Sequence, residues 1–257
     1  MSVNFGGRSG DSGSLGSLFR DNYNDKKKYV NINLSGSTLT TIPVGTFTYC
    51  SDLVGIILPN SIEIIKNGAF QCTGLTNITI PNGVTDIGID AFRECANLTG
   101  IIISDSVTNI GSWAFLKCTK LANVTMGNGV QLIGHSAFGY CTSLGEITIP
   151  ASVIKVGVLA FGYCANLLIV NIQCNIPSYL KSDPESDNTF IEDTAIGSSV
   201  GELGDDYIGD LFFKYYAIDM GDALMVQGLS SRTTFYTGRP GTYYRTSSAS
   251  LDWIYEG

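Results

Sequence analysis

A short frame recurs along the middle of the chain: Phe, two variable residues, Cys, two variable residues and Leu. Its phenylalanines lie 22 or 23 residues apart, and the set is Phe47, Phe70, Phe92, Phe115, Phe138 and Phe161. After each Leu the chain continues close to x-x-Ile-x-Ile, and several units then read Pro-x-x-Val-x-x-Ile-Gly. A unit of about 23 residues cannot bury its own apolar face, so copies have to stack on one another. The spacing therefore predicts a solenoid.

Each part of the unit has a predicted conformation. The Ile-x-Ile alternation predicts a strand that points both isoleucines inward and pairs in parallel with the next unit. The Ala-Phe pair predicts a helical or 3₁₀ turn. Glycine after the last inward Ile, as at Gly111 and Gly134, indicates a turn with unusual backbone dihedrals. The shorter step in one unit is assigned to a residue missing between Phe70 and Cys72, in a connecting segment.

The complete unit resembles the BspA-like, Treponema pallidum-type leucine-rich repeat. The resemblance covers roughly residues 29–174, and residues 29–43 are read as a degenerate first unit whose strand is offset by one residue. It implies an α/β leucine-rich repeat solenoid: a right-handed superhelix of about 23-residue repeats with a parallel concave sheet and short helical or 3₁₀ turns. It also implies an N-terminal cap and an irregular C-terminal cap.

Three segments are predicted along the chain. Residues 1–28 are a flexible leader and N-terminal cap, in which residues 15–28 form a short helix over the first coil. Residues 29–176 are the solenoid of about six repeats. Residues 177–257 are an acidic insertion followed by a Tyr-rich C-terminal cap.

The C-terminal segment has several predicted features of its own. Residues 182–222 hold eleven acids and one base, but they contain no calcium-loop motif, so a solvated insertion is the preferred interpretation. Helices are predicted at 209–217 and 220–227, and two short strands within 233–246. Residues 209–217 and the segment from Pro240 to Trp253 resemble the C-terminal part of treponemal members of the family.

One cysteine per unit is predicted to form a buried ladder of free thiols, since Cys packs as a small apolar residue. The predicted ladder is Cys50, Cys72, Cys95, Cys118, Cys141 and Cys164, with Cys174 outside it. No close cysteine pair with metal-ligand spacing is present. Parallel thiols on neighbouring units also have poor disulfide geometry. We therefore predict neither a metal site nor disulfides.

Charge and composition disfavour several functions. The net charge of −8 and the pI of about 4.5 argue against binding to nucleic acid or to anionic lipid. No apolar run reaches the length of a membrane span, and residues 1–18 lack the apolar region of a signal peptide. The only histidine, His135, occupies a variable slot and is predicted to be exposed and not catalytic. We predict no cofactor and no enzymatic activity.

The outward positions of the predicted strands are the candidate binding surface. They form two rows of small, nearly uncharged side chains, because alternate residues of a strand point to opposite faces. The predicted partner-binding residues are Asn77, Thr79, Ile102, Asn123, Thr125, Glu146, Thr148, Ile169 and Asn171. Trp113, Tyr140 and Tyr163, near the turns, are a second candidate face.

The resemblance implies a bacterial surface or secreted protein, in a family linked to adhesion to host or neighbouring cells. We therefore predict a non-enzymatic binding module with a protein or glycan partner on such a cell, bound through the concave face. One alternative is a scaffold that self-associates through an uncapped end or the Tyr-rich tail. Another is an enzyme or small-ligand carrier with a site in residues 177–257.

Overall fold

The computed structural model describes residues 29–157 and 159–174, and for residues 241–244 and 254–256 it describes the backbone. In the first two ranges the chain winds through about six turns of a parallel β-solenoid. Several predicted segments lie outside the described residues: the cap at 1–28, the acidic segment 182–222, and the helices at 209–217 and 220–227. The boundaries of the three predicted segments stay predictions.

One face of the solenoid carries the longer strands. They are β1 (Val30–Asn33), β3 (Leu53–Ile57), β6 (Gly100–Ile103), β8 (Asn123–Met126), β10 (Glu146–Ile149) and β12 (Ile169–Ile172). β1 pairs with β3, β6 with β8, and β10 with β12, all in parallel. Between β3 and β6 the chain forms a single parallel bridge, from Thr79 to Ile102. We call this surface the long-strand face, and it confirms the strands predicted from Ile-x-Ile.

A second, continuous parallel sheet runs along the solenoid beside the first. Its strands are two residues each: β2 (Thr41–Ile42), β4 (Ile64–Ile65), β5 (Asp86–Ile87), β7 (Asn109–Ile110), β9 (Leu132–Ile133) and β11 (Lys155–Val156). Each pairs with the strand of the next coil in unbroken order. The second residue of every pair is buried. The sequence did not predict this sheet, because two residues are too few to show an alternation.

The corner at the Ala-Phe pair is a series of hydrogen-bonded turns, and the described residues contain no helix. The predicted helical or 3₁₀ turn is therefore not confirmed. The second residue before Phe and the second residue after it are left-handed in each coil, as at Trp113 (φ 58°) and Lys117 (φ 59°). These residues interrupt a helix and aim the backbone at the next coil, so that the N–H of Phe115 donates to the carbonyl of Ala137 at 2.7 Å.

The interior is a set of columns that run along the solenoid. The six phenylalanines of the repeat are fully buried, and neighbouring rings stack nearly parallel with centroids 5.0–5.4 Å apart. Columns of Leu, Ile and Val from both sheets surround them. Each coil therefore buries its apolar residues against the same residues of its neighbours, as the periodicity predicted.

The first described coil is irregular in the predicted way. β1 pairs with β3 through a register shift: Val30 lies opposite Leu53, whereas Asn31 lies opposite Gly55. The one-residue offset predicted for residues 29–43 is thus a bulge in which Val54 of β3 is the extra residue, opposite the start of β1.

Two strands at the C-terminus pair against the last coil. β13 (Gly241–Tyr244) runs antiparallel to β12, and β14 (Ile254–Glu256) runs antiparallel to β13. Of the two strands predicted within 233–246, β13 lies in that range, and β14 follows later in the chain.

The glycines after the inward Ile are needed for a different reason from the one predicted. Gly88, Gly111, Gly134 and Gly157 do not have positive φ, so unusual dihedrals are not the cause. Instead, the coils approach closely there. A Cβ atom on Gly111 would lie 2.6 Å from the carbonyl carbon of Gly88 and 2.6 Å from the backbone nitrogen of Ile89. The backbone of the preceding coil leaves no room for a side chain.

Replacing Gly111 by Ala should lower the free energy of unfolding by about 2–3 kcal/mol, because two coils must separate to admit the methyl group. Gly100→Ala is the matched control, since its Cβ would lie 3.5 Å from the nearest atom, the carbonyl oxygen of Asn123. We expect this control to change stability by less than about 1 kcal/mol. Urea unfolding of both variants tests the comparison, and equal losses would contradict close approach as the cause.

The left-handed corner makes a second prediction about stability. A non-glycine residue in this conformation costs about 1–2 kcal/mol, and glycine there loses about 0.5–1 kcal/mol through chain entropy. Lys117→Gly should therefore raise the free energy of unfolding by about 0.5–1 kcal/mol. Lys120→Gly, at a position without positive φ, should lower it by a similar amount. Thermal unfolding of both variants measures the two changes in stability, which should have opposite signs.

Candidate binding surface

All nine predicted partner-binding residues lie on the outside of the long-strand face, each exposed or half-exposed. Backbone pairing holds neighbours in register: Thr79 lies beside Ile102, and Ile102 beside Thr125. In the last two coils Glu146 pairs with Ile169, and Thr148 with Asn171. The structure therefore brings these side chains into two rows across the strands. Their role in binding stays a prediction.

The chemistry of this face is polar but almost without charge. Glu146 is the only ionisable residue among the nine, and the Asn171 side-chain amide donates to its Oε1 at 2.8 Å. Ile57 and Ile102 present apolar side chains to solvent, with 56% and 66% of their surface exposed. The face thus combines amide and hydroxyl groups with exposed isoleucines, and it offers no group suited to acid–base chemistry beyond Glu146.

The two rows are interrupted between β8 and β10. These strands are neighbours along the solenoid, yet the structure records no ladder pairing between them. The inward residues of β8, Val124 and Met126, are only partly buried, whereas the corresponding Ile147 and Ile149 of β10 are fully buried. The long-strand face is therefore divided, with Asn123 and Thr125 at one side of the break and Glu146 and Thr148 at the other.

The second candidate face lies along the left-handed corner. The rings of Tyr140 and Tyr163 stack with centroids 4.4 Å apart. Trp113 meets His135 edge-to-face at 5.5 Å. Both tyrosines and Trp113 have positive φ, so the corner geometry fixes the direction of each side chain. His135 is half-buried, so the prediction that it is exposed was wrong: the neighbouring Trp113 ring covers it.

A charged cluster that the sequence did not reveal lies on the same corner. Arg93 contacts Asp90 at 3.3 Å and Glu94 at 3.4 Å, and Lys117 of the next coil contacts Glu94 at 3.7 Å. Burial raises the pKa of the Asp90 carboxyl, and the charge of Arg93 opposes that shift. Such partly exposed ion pairs stabilise a fold weakly. Their main effect is to give this corner a charge pattern that the long-strand face lacks.

The cysteine column has a hydrogen-bonding role in addition to packing. The thiols of Cys95, Cys118, Cys141 and Cys164 donate to the phenylalanine carbonyls of the preceding coil, at 3.0–3.3 Å. Each of these carbonyls also accepts an N–H from its own coil, as Phe92 does from Cys95. The thiol therefore supplies a second donor to a buried carbonyl. None of the seven cysteines, all of which lie in the described ranges, forms a disulfide.

One member of the predicted ladder was wrong. Cys72 is only half-buried and has positive φ, and its thiol donates to Glu94 Oε2 at 3.5 Å. Thr73 takes the buried slot, with its hydroxyl 3.1 Å from the Cys95 sulfur. The residue in the buried position always follows Phe by three residues, as Cys95 follows Phe92. Counting three residues from Phe70 would therefore have identified Thr73. The missing residue lies after Thr73, not before Cys72.

Burial makes several of the thiols weakly acidic. It raises the pKa of Cys95 to about 11 and the pKa values of Cys118 and Cys141 well above their ordinary value of 9.0. Burial also raises the pKa of Cys72 to about 12, and the carboxylate of Glu94 adds to that shift. Few of these thiols ionise at neutral pH, so they are poor nucleophiles and poor metal ligands as they stand. Within the described ranges no group of three or more His, Cys, Asp or Glu could hold a metal ion.

The family of the chain follows from comparison of this repeat with known ones. The model of the BspA type leucine rich repeat region matches in six copies, over residues 19–99 and 63–183, which is more than half of the chain. The chain belongs to the BspA-type leucine-rich repeat family. Solenoids of this family are generally protein-interaction modules and non-enzymatic scaffolds. The described residues contain no helix that could cross a membrane.

Several solved bacterial leucine-rich repeat structures are similar to this chain. A leucine-rich repeat protein of T. pallidum is 30% identical over 54% of this chain and 64% of its own, with a TM-score of 0.47. A leucine-rich repeat protein from Bacteroides ovatus is 27% identical over 57% of this chain and 44% of its own, with a TM-score of 0.46. A leucine rich cell surface protein from Faecalibacterium prausnitzii is 23% identical over 58% of this chain and 60% of its own, with a TM-score of 0.29.

The matches cover only part of those proteins. The chain spans between 41% and 64% of the lengths of the solved structures that it resembles. A comparison with curated proteins found no match.

The thiol column of this BspA-type solenoid should make its stability fall in alkaline solution. A thiol whose pKa is raised by folding contributes stability that is complete below pH 9 and is lost as the pH rises, because the unfolded thiol ionises first. Above pH 9, each such thiol lowers the free energy of unfolding by up to about 1.4 kcal/mol per pH unit. Urea unfolding at pH 8, 9 and 10 should show a steep loss in the natural chain.

Cys118→Ala isolates the contribution of one thiol. The variant should be less stable at pH 8, because the Phe92 carbonyl loses a donor. Between pH 9 and pH 10, however, it should lose about 1 kcal/mol less than the natural chain, because an unfolded thiol with a pKa of 9.0 is already half ionised at pH 9. Parallel losses in the two proteins would show that Cys118 ionises as easily in the fold as in the unfolded chain.

Proposed function

We propose that the chain is a non-enzymatic binding module of a bacterial surface or secreted protein, and that its long-strand face binds a protein partner. Membership of a family whose solenoids are generally interaction modules supports this proposal. The observation that carries it is the long-strand face itself, where paired strands hold their outward side chains in register and where Ile57 and Ile102 are exposed.

The physical properties of the face suit recognition by contact. Its side chains are attached to a backbone that inter-coil hydrogen bonds hold in place, so binding orders little on this side of the interface. Gly100, where an added Cβ would meet no atom closer than 3.5 Å, leaves room for a partner to approach the sheet. Only Glu146 is charged among the nine residues, so association should depend weakly on salt.

The partner in this proposal is a protein on a host or neighbouring bacterial cell, and a glycan is the alternative. The predicted concave shape and right-handed turn would curve the face around such a partner. A surface location is supported by one similar protein, which is described as a cell surface protein. An adhesive role for this chain rests on the resemblance of its repeat.

The corner face is a second candidate for the same function. Tyr, Trp and Arg are the residues that most often dominate binding energies, and Trp113, Tyr140 and Arg93 lie there. Tyr49, on the same left-handed row, exposes 64% of its surface. Because this corner also carries Asp90, Glu94 and Lys117, association through it should weaken as salt rises.

Paired arginine substitutions test the long-strand face. Asn123→Arg with Thr125→Arg places two long cations on the outward side of β8, so capture of a surface protein from host or bacterial extracts should fall at least about tenfold. The measurement is quantitative mass spectrometry of proteins retained by the immobilised chain, followed by titration of the main binder.

The controls separate the two faces. Gln131→Arg places a cation at an exposed position directly before β9 of the two-residue sheet, and it should leave capture unchanged. Tyr140→Ala removes half of the Tyr140–Tyr163 stack from the corner. If the double arginine variant captures normally while Tyr140→Ala does not, the corner is the binding site and the proposal for the long-strand face is wrong.

A further inference from the structure

Three Asn-Gly pairs lie in the solenoid: Asn67-Gly68, Asn82-Gly83 and Asn128-Gly129. In such a pair the backbone nitrogen of glycine can attack the side-chain amide carbon of the preceding asparagine, because glycine has no side chain to shield its nitrogen and its backbone rotates freely. All three asparagines are exposed, so exposure does not distinguish them. They differ in how hydrogen bonds hold the two reacting groups.

The neighbouring coil holds both reacting groups of the first pair. The N–H of Gly68 donates to the carbonyl of Ile89 at 2.8 Å, and the N–H of Ile89 donates to Oδ1 of Asn67 at 3.0 Å. The glycine nitrogen and the asparagine amide are therefore bound to Ile89 instead of being available to each other. Ring closure at Asn67 requires a local opening that breaks both hydrogen bonds.

Neither restraint is present at Asn82-Gly83. The N–H of Val84 closes this turn onto the carbonyl of Pro81 at 3.1 Å, and within the described residues neither the glycine N–H nor the asparagine side chain makes a hydrogen bond. Both members of the pair are exposed. The segment that leads into the turn is also weakly paired, by a single parallel bridge. The two reacting groups can therefore approach each other without breaking a hydrogen bond of their own.

The third pair is anchored to the preceding coil through Asp105. The backbone N–H of Asn128 donates to Oδ1 of Asp105 at 2.7 Å. A Cβ atom on Gly129 would collide with the carbonyl oxygen of Asp105, whereas one on Gly83 would lie 3.0 Å from the nearest backbone oxygen. The backbone around Asn128 is therefore held more tightly than the backbone around Asn82.

We propose that Asn82 is a modification site of this chain, where deamidation through a cyclic succinimide takes place in the folded state. The Gly83 nitrogen bonds to Cγ of Asn82 and loses its proton, and the side-chain amide nitrogen leaves as ammonia. Water then opens the ring at one of its two carbonyls, which gives aspartate or isoaspartate at position 82. Nothing is oxidised or reduced, and water is the only co-reactant.

The product changes the turn in two ways. It adds a negative charge one coil away from Asp105, which occupies the same position of the next unit, and like charges at the spacing of neighbouring coils repel. Isoaspartate also inserts a methylene group into the backbone between the segment of Asn77 and Thr79 and the strand β5. The modification therefore acts at the border of the long-strand face and needs no binding partner.

A comparison of the three pairs in the folded and the unfolded chain tests the site. The full chain is incubated at neutral pH in heavy-oxygen water, with and without denaturant, and each asparagine is followed by peptide mapping and mass spectrometry. In the fold we expect Asn82 to react first and Asn67 to react at least about tenfold more slowly, because two hydrogen bonds must open there. In denaturant, where those hydrogen bonds are lost, the difference between Asn67 and Asn82 should disappear.

Asn82→Gln is the matched control, because glutamine would have to close a larger and less favourable ring. This variant should lose the modification at position 82 and leave the other two pairs unchanged. The products at position 82 should include both aspartate and isoaspartate, each with one heavy oxygen, and aspartate alone would contradict the succinimide route. The proposal is wrong if Asn67 or Asn128 reacts as fast as Asn82 in the fold, or if Asn82 reacts only in denaturant.

Discussion

The distance between neighbouring coils controls the rest of the structure. Parallel strands lie about 4.8 Å apart, and the Phe rings repeat at nearly the same distance, 5.0–5.4 Å. An interior side chain therefore touches its own counterpart above and below. Only residues that pack well against copies of themselves can fill such a column, and a column of like charges would repel itself. This constraint explains why the inner positions hardly vary while the outer ones do.

Cysteine satisfies two demands of one interior column. The position is tightly enclosed, so its side chain has to be small. In addition, the Phe carbonyl of the preceding coil can accept a second hydrogen bond, and the thiol donates it at 3.0–3.3 Å. Serine or threonine could also donate a hydrogen bond, and Thr73 shows that one coil tolerates a hydroxyl at this position. A whole column of hydroxyls, however, would bury a more strongly hydrated group in each coil. The thiol gives the hydrogen bond at a smaller desolvation cost.

The sequence predicted those features that repeat at long range. The Phe column, the long strands and the outward rows follow from spacing and alternation, because each needs only the position of a residue within its unit. The two-residue sheet was missed, since a segment such as Asp86–Ile87 is too short to alternate. The left-handed corner was missed because Tyr, Lys and Trp do not favour positive φ. The break beside β8 depends on small displacements between coils, which residue spacing does not reveal. In the sequence, the unit of β8 differs by having Val124-x-Met126 in place of Ile-x-Ile.

Since the interior is nearly the same in every coil, the binding that we propose would draw its selectivity from the outward positions. Two such surfaces are held rigid by different means: the long-strand face by its parallel ladders, and the corner by left-handed backbone and inter-coil hydrogen bonds. They differ in charge, because Arg93, Glu94 and Lys117 lie on the corner, whereas the long-strand face offers apolar and amide contacts. A change in salt should therefore alter binding at the corner far more than binding at the sheet. One solenoid can thus carry two independent contacts without any change to its core.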